Sequence, residues 1–209
     1  MSLQKNLERS YFAIEGVRSN PDRAKALKQV GWTTQETTQG WKLYEAAYGS
    51  YNDQKAKVSQ QRSATDALRQ AETELDGIYK KHLSLTRMAV PYERDLYLTL
   101  ELKGRRKSSR SAWFGQIRNF YDNIGKVADQ LAPYGVTAEE IAQAQAMIDA
   151  VAAARVKQND ARGAAQQARI DRDEATKELN RWMSKFIRTA RFAFVDTPQQ
   201  LEALGIIVK

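Results

Sequence analysis

The chain has 209 residues, 42% hydrophobic and 28% charged, which suits one domain or two small ones in a soluble globular protein with a packed core. It has no cysteine and a single histidine. This composition excludes disulfides, thiolate metal sites and cysteine nucleophiles, and leaves little of the usual means of acid–base or zinc chemistry near neutral pH.

The formal charge is +8, but Lys103–Arg110 alone carries five basic residues and no acid, so the remainder is close to an ordinary charged surface. The start, Met1-Ser2-Leu3-Gln4-Lys5, shows no apolar leader core. A cytoplasmic location is the default expectation, and Met-Ser-Leu also fits a vector-derived start. No window approaches the ~18 consecutive apolar residues of a membrane-spanning helix, so no stable membrane insertion is expected.

Prolines stand only at positions 21, 91, 133 and 198, and Ala, Gln, Glu, Lys, Arg and Leu dominate between them. Helix formers without alternating β-branched runs predict an all-α fold. In chain order, Leu7, Tyr11, Ile14 and Val17 mark an opening helix over about 4–29, with a break and restart at Asn20-Pro21. Gly31 ends it, and Thr33-x-x-Glu36 reads as a capping box that starts a long helical region to about residue 90. Pro91 then starts a short helix that Gly104 ends.

The same order recurs. Trp113, Ile117, Phe120 and Ile124 mark a helix over about 111–132. Gly135, Thr137-x-x-Glu140, a long helical region to about 194, Pro198 and Gly205 follow. Shifted by 104 positions, the sequence sets Gly31 on Gly135, Thr33 on Thr137, Glu36 on Glu140, Glu74-Leu75 on Glu178-Leu179 and Arg87 on Arg191 without a gap. Two tandem helical repeats, 1–104 and 105–209, follow from this, either as separate bundles or as one pseudo-two-fold domain.

Each long region reads in two ways. Its apolar residues lie at its ends and its middle, such as Asn52–Arg62, is polar. That favours a helical hairpin turning near 59–63 in the first repeat and near Gly163 in the second. The alternative is one continuous helix in an antiparallel coiled coil, supported by an apolar phase that carries through the middle at roughly 3.5 residues.

The chemistry-bearing residues are few. His82 follows Tyr79 by three positions, not a glutamate, and Phe186 stands 104 residues later. It therefore reads as a half-buried helix residue and not as a di-iron ligand. Asp171, Asp173, Glu174 and Glu178 are interleaved with Arg169, Arg172, Lys177 and Arg181. They read as a salt-bridged helix face, with Asp173–Lys177 as an i,i+4 pair, and not as a cation site. No phosphate loop, nucleophile elbow or HExxH motif is present.

Two sets of residues remain as candidate contacts. Lys103, Arg105, Arg106, Lys107 and Arg110, with the strip Arg181, Lys185, Arg188 and Arg191, suit a polyanion such as nucleic acid. Trp41, Tyr44, Tyr48 and Tyr51 form an aromatic stripe, where positions 104 residues on hold Gln145, Ile148, Ala152 and Arg155. This surplus suits a partner surface, or rings that fill the space between repeats. The expected function is a non-enzymatic structural or protein-interaction helical module without a cofactor, meeting a protein partner or a second copy. Polyanion binding through the basic inter-repeat segment is the alternative.

Overall fold

Thr33 and Thr137 each accept the backbone N–H three residues on, at 3.3 Å, and so start the two dominant helices. A computed structural model describes residues 2–207. Its described residues form α-helices and short 3-10 turns, with no strand among them. The fold class is all-α.

The helices are α1 (Leu3–Arg18), α2 (Pro21–Gln29), α3 (Thr34–Ala89), α4 (Arg94–Thr99), α5 (Arg110–Asn123), α6 (Ala128–Leu131), α7 (Ala138–Ala193) and α8 (Pro198–Glu202). Asn20 accepts from the N–H groups of Asp22 and Arg23, which makes the expected restart at Pro21. Gly31, Gly104, Gly135 and Gly205 all take positive φ, between 68° and 90°, at the four expected helix ends. The helix expected over 111–132 is instead broken into α5, a 3-10 turn and α6. Pro91 lies ahead of α4, which starts at Arg94.

The hairpin turns expected near 59–63 and 163 are not formed. Helices α3 and α7 each run unbroken for 56 residues, and their bounds differ by 104 positions. The polar middle residues lie on solvated faces of continuous helices. Met1, part of the start read as vector-derived, lies outside the described residues.

The chain gathers into two compact units. Unit 1 holds the residues up to Ser59 and those from Arg162 onward, and unit 2 holds Gln60–Ala161. Unit 2 is one unbroken stretch of chain, whereas unit 1 is built from the two ends.

In unit 1, α3 and α7 run antiparallel, since Glu36 meets Lys185 and Gln54 meets Arg172. Their core takes in Leu7, Ile14, Leu27, Trp32, Ala47, Leu179, Trp182 and Phe186. Trp182 stacks on Phe186 at 5.3 Å, Trp32 meets it edge-on at 5.4 Å, and its Nε1–H donates to the Glu36 carbonyl at 3.0 Å. Gly40 leaves no room for a side chain against that ring.

In unit 2, the pairing is again antiparallel, with Glu72 near Arg155 and Lys81 near Glu140. The core takes in Leu68, Leu75, Tyr79, Ile117, Phe120, Tyr121, Leu131, Ala144 and Val151. No helix among the described residues is long and apolar enough to cross a membrane.

Candidate functional site

The aromatic stripe lies in unit 1. Trp41, Tyr44, Tyr48 and Tyr51 recur at helical spacing on one face of α3, so their rings form a row along it. Helix α1 adds Tyr11, one of the residues that mark it by spacing, and its neighbour Phe12, which spacing does not single out. The rings touch in series. Tyr11 sits 5.7 Å from Phe12, 6.0 Å from Trp41 and 5.6 Å from Tyr44. Tyr44 lies 5.5 Å from Trp41 and stacks on Tyr48 at 5.9 Å.

The strip is half open. Phe12 is 54% exposed, Tyr48 49% and Tyr11 38%, whereas Trp41, Tyr44 and Tyr51 are partly covered. Burial, with Tyr48 and Tyr11 alongside, pushes the Tyr44 phenol up, so it stays neutral at pH 7. A groove of about 480 Å³ runs between Tyr11, Phe12, Tyr44, Tyr48 and Tyr51, with Glu8 and Lys55 on its wall.

Charged groups flank both ends of the strip. At one end the Arg18 guanidinium lies 4.4 Å over the Trp41 ring, and Glu45 accepts the Trp41 Nε1–H at 2.8 Å. At the other, Lys55 lies 5.4 Å over Tyr51 near Glu8. The covered edge of the strip packs on α1, and its outer rings face solvent.

The two basic sets fall in different units. In unit 2, Lys103–Arg110 folds back on an acidic face of α3. Arg106 pairs with Asp76 at 2.8 Å and Arg110 with Glu72 at 2.7 Å. The Lys103 ammonium donates to the Tyr92 hydroxyl at 2.8 Å, and the Lys107 backbone N–H donates to Gln116. Burial alone would raise the Asp76 carboxyl, but hydrogen bonds from Lys80, Trp113 and Arg106 hold it below the usual value. Arg105 and Lys107 have no carboxylate partner among the described residues.

In unit 1, Arg181 pairs with Glu178 at 2.5 Å and Lys185 with Glu36 at 2.5 Å. Arg188 donates to the Ser184 carbonyl, and Arg191 is exposed in the last turn of α7. Asp173 pairs with Arg172 and not with Lys177, and Asp171 accepts from Gln167. Among the described residues no three His, Asp or Glu side chains converge as metal ligands.

His82 is fully buried in unit 2 and not half-buried, at 1% exposure. Its Nδ1 lies 3.0 Å from the Tyr121 hydroxyl and its Nε2 3.4 Å from a Glu140 oxygen. A carboxylate only accepts, so the neutral ring carries its proton on Nε2 and takes the Tyr121 O–H at Nδ1. Glu140 is thereby drawn from closing the second capping box, whereas Glu36 closes the first by accepting the Thr33 N–H at 2.9 Å.

Burial, reinforced by Lys81, lowers the His82 pKa against the opposing pull of Glu140; Tyr79 is also buried in this core. The folded state thus prefers neutral His82, and its contribution is fully present above pH ~6.5 and fades as pH falls toward the lowered value. Urea unfolding between pH 7 and 5 should show a loss of up to ~1.4 kcal/mol per pH unit. His82→Gln should flatten that slope, since no second histidine exists to sustain it. An unchanged slope would place the acid sensitivity elsewhere.

Compared with protein-family models, curated protein sequences and solved structures, the chain shows no significant match.

Proposed function

We propose that the chain is a non-enzymatic protein-interaction module whose docking surface is the aromatic strip of unit 1, and that the strip's partner is a second copy of this chain. The observation that carries this reading is the series of five touching rings, Tyr11, Phe12, Trp41, Tyr44 and Tyr48, three of them exposed, in a strip whose flanking cations have acids beside them. In a chain of net charge +8, Glu15 and Glu45 accompany Arg18 at one end of the strip and Glu8 lies near Lys55 at the other, so acids offset the cations there. Such a patch is complementary to itself under a two-fold axis, with no like-charge penalty.

The size is adequate. Aromatic side chains bury ~150–250 Å² each, so six half-open rings offer on the order of 500 Å². That is the apolar centre of a standard half-interface of ~800 Å², and Gln4, Glu8, Asn52 and Lys55 supply a polar rim. The row from Trp41 to Tyr51 spans ten residues of helix, ~15 Å.

Duplication of a helical unit, the reading of the 104-residue offset, is part of this proposal. It is supported by the crossed pairs Lys185–Glu36 and Lys81–Glu140, which that offset interchanges. One copy would keep the aromatic face, while the other carries Gly115 and Gln116 in place of Tyr11 and Phe12. A single strip per chain closes as a dimer and cannot propagate a filament.

Sedimentation equilibrium tests this. The wild-type chain should be dimeric at micromolar concentration. Phe12→Ala with Tyr48→Ala removes the two most exposed rings of the strip and should weaken association at least ~30-fold, as loss of about 2 kcal/mol or more at an interface hot spot does. Its melting temperature should change little. A monomeric wild type, or an equally dimeric variant, would overturn the proposal.

A further inference from the structure

A second concavity in unit 1 is built differently. It encloses about 530 Å³ where the ends of α1 and α2 meet the start of α3, which is the size of a small-molecule pocket. Arg18, Lys25 and Lys28 line it together with four threonines. No carboxylate is among its lining residues. Neither Lys25 nor Lys28 has a carboxylate within ion-pair distance among the described residues. This contrasts with Arg106, Arg110, Arg181 and Lys185, all of which are paired.

The wall beneath the cations is polar and fixed. Thr37 is 7% exposed, and its oxygen takes the Trp32 Nε1–H at 3.0 Å. With that acceptor used, its own hydroxyl proton is left to donate. The Thr38 hydroxyl, by contrast, is turned to the Thr34 carbonyl at 3.0 Å. Arg18 is held by Glu15 at 3.3 Å and by the face of Trp41, so its guanidinium is prepositioned. The positive end of α3 adds to the same sign of field.

At the positions 104 residues on, the cationic set is absent. Asp122, Asp129 and Ala132 stand where Arg18, Lys25 and Lys28 would fall, and Ile141 stands for Thr37. The cations are therefore not a requirement of building such a helix junction.

We infer that this cavity is an oxyanion site that takes phosphate groups, with Lys25, Lys28 and Arg18 as the charge partners and Thr37 as a neutral donor. Flexible ammonium groups and a guanidinium around hydroxyl donors are the chemistry that recognises a phosphate. The inference shares Arg18 with the aromatic strip but does not depend on the dimer proposal.

Calorimetric titration with pyrophosphate, at constant ionic strength, tests it. The wild-type chain should show saturable binding. Lys25→Ala with Lys28→Ala should weaken it about tenfold or more, and both lysines are exposed, so the variant folds. Arg105→Ala with Lys107→Ala removes the same number of charges in unit 2 and should leave affinity unchanged. Absence of saturable binding to the wild type would overturn the inference. So would equal weakening in the two variants, which would mean diffuse attraction to a basic chain, or undiminished binding by the lysine variant.

Discussion

Gly40→Val is expected to destabilise unit 1 by about 3 kcal/mol. A Cβ at Gly40 would fall within the Trp182 ring. That ring has nowhere to go: it stacks on Phe186, meets Trp32 edge-on and donates to the Glu36 carbonyl. The ~1 kcal/mol that leaving glycine gains in a helix interior is smaller than this clash. In unit 2 the positions 104 residues along carry Ala144 and Ile78, a larger residue on one helix and a smaller one on the other. Gly40→Ala combined with Trp182→Ile should therefore be less destabilising than the sum of the two changes, by at least ~1 kcal/mol. Chemical unfolding of the four proteins measures this, and strict additivity would mean that the two sites do not meet.

Gly163→Pro should cost ~3 kcal/mol or more. Residue 163 is interior to α7, where proline removes a backbone donor and clashes with the preceding turn. Gly163→Ala should do the opposite and stabilise by ~0.5–1 kcal/mol, because the position is exposed and nothing lies within 4 Å of an added Cβ. In a hairpin the signs would reverse, since a turn accepts proline and a left-handed glycine resists alanine. Urea denaturation of both variants distinguishes the two.

Of the two readings the sequence leaves open for each long region, the chain forms the continuous helix and not the favoured hairpin. Helices of 56 residues are rare, and a polar middle such as Asn52–Arg62 resembles a solvated tip. Inside such a helix, however, a narrow seam suffices: Leu68, Ala165 and Ala168 are buried while their neighbours remain in water. A seam that narrow leaves a weak period, and the end-to-end pairing that replaces the hairpin depends on contacts more than a hundred residues apart, such as Gln54 with Arg172. Local punctuation was far more legible. Asn20-Pro21, the Thr33 box and the four left-handed glycines are decided within a turn of chain.

The candidate site was legible in part for the same reason. Trp41, Tyr44, Tyr48 and Tyr51 share one helix face, which spacing alone reveals. Tyr11 and Phe12 join them only through the packing of α1 on α3, and Tyr11 fits a core stripe equally well by spacing. The basic segment Lys103–Arg110 stood out by charge, but its partners Glu72 and Asp76 lie some thirty residues away and are invisible to a local count. The cavity cations Arg18, Lys25 and Lys28 formed no run at all.

The most direct test of the strip as a self-docking surface is an intermolecular distance. The chain has no cysteine, so Asn52→Cys gives one spin label per molecule, at the rim of the groove. Double electron–electron resonance then reports only on pairs of chains. An isologous contact centred on a row ~15 Å long brings the two labels within about 35 Å, as one defined distance. A background decay with no defined distance at concentrations of tens of micromolar, or a dimer whose labels lie well beyond that range, would contradict the assignment.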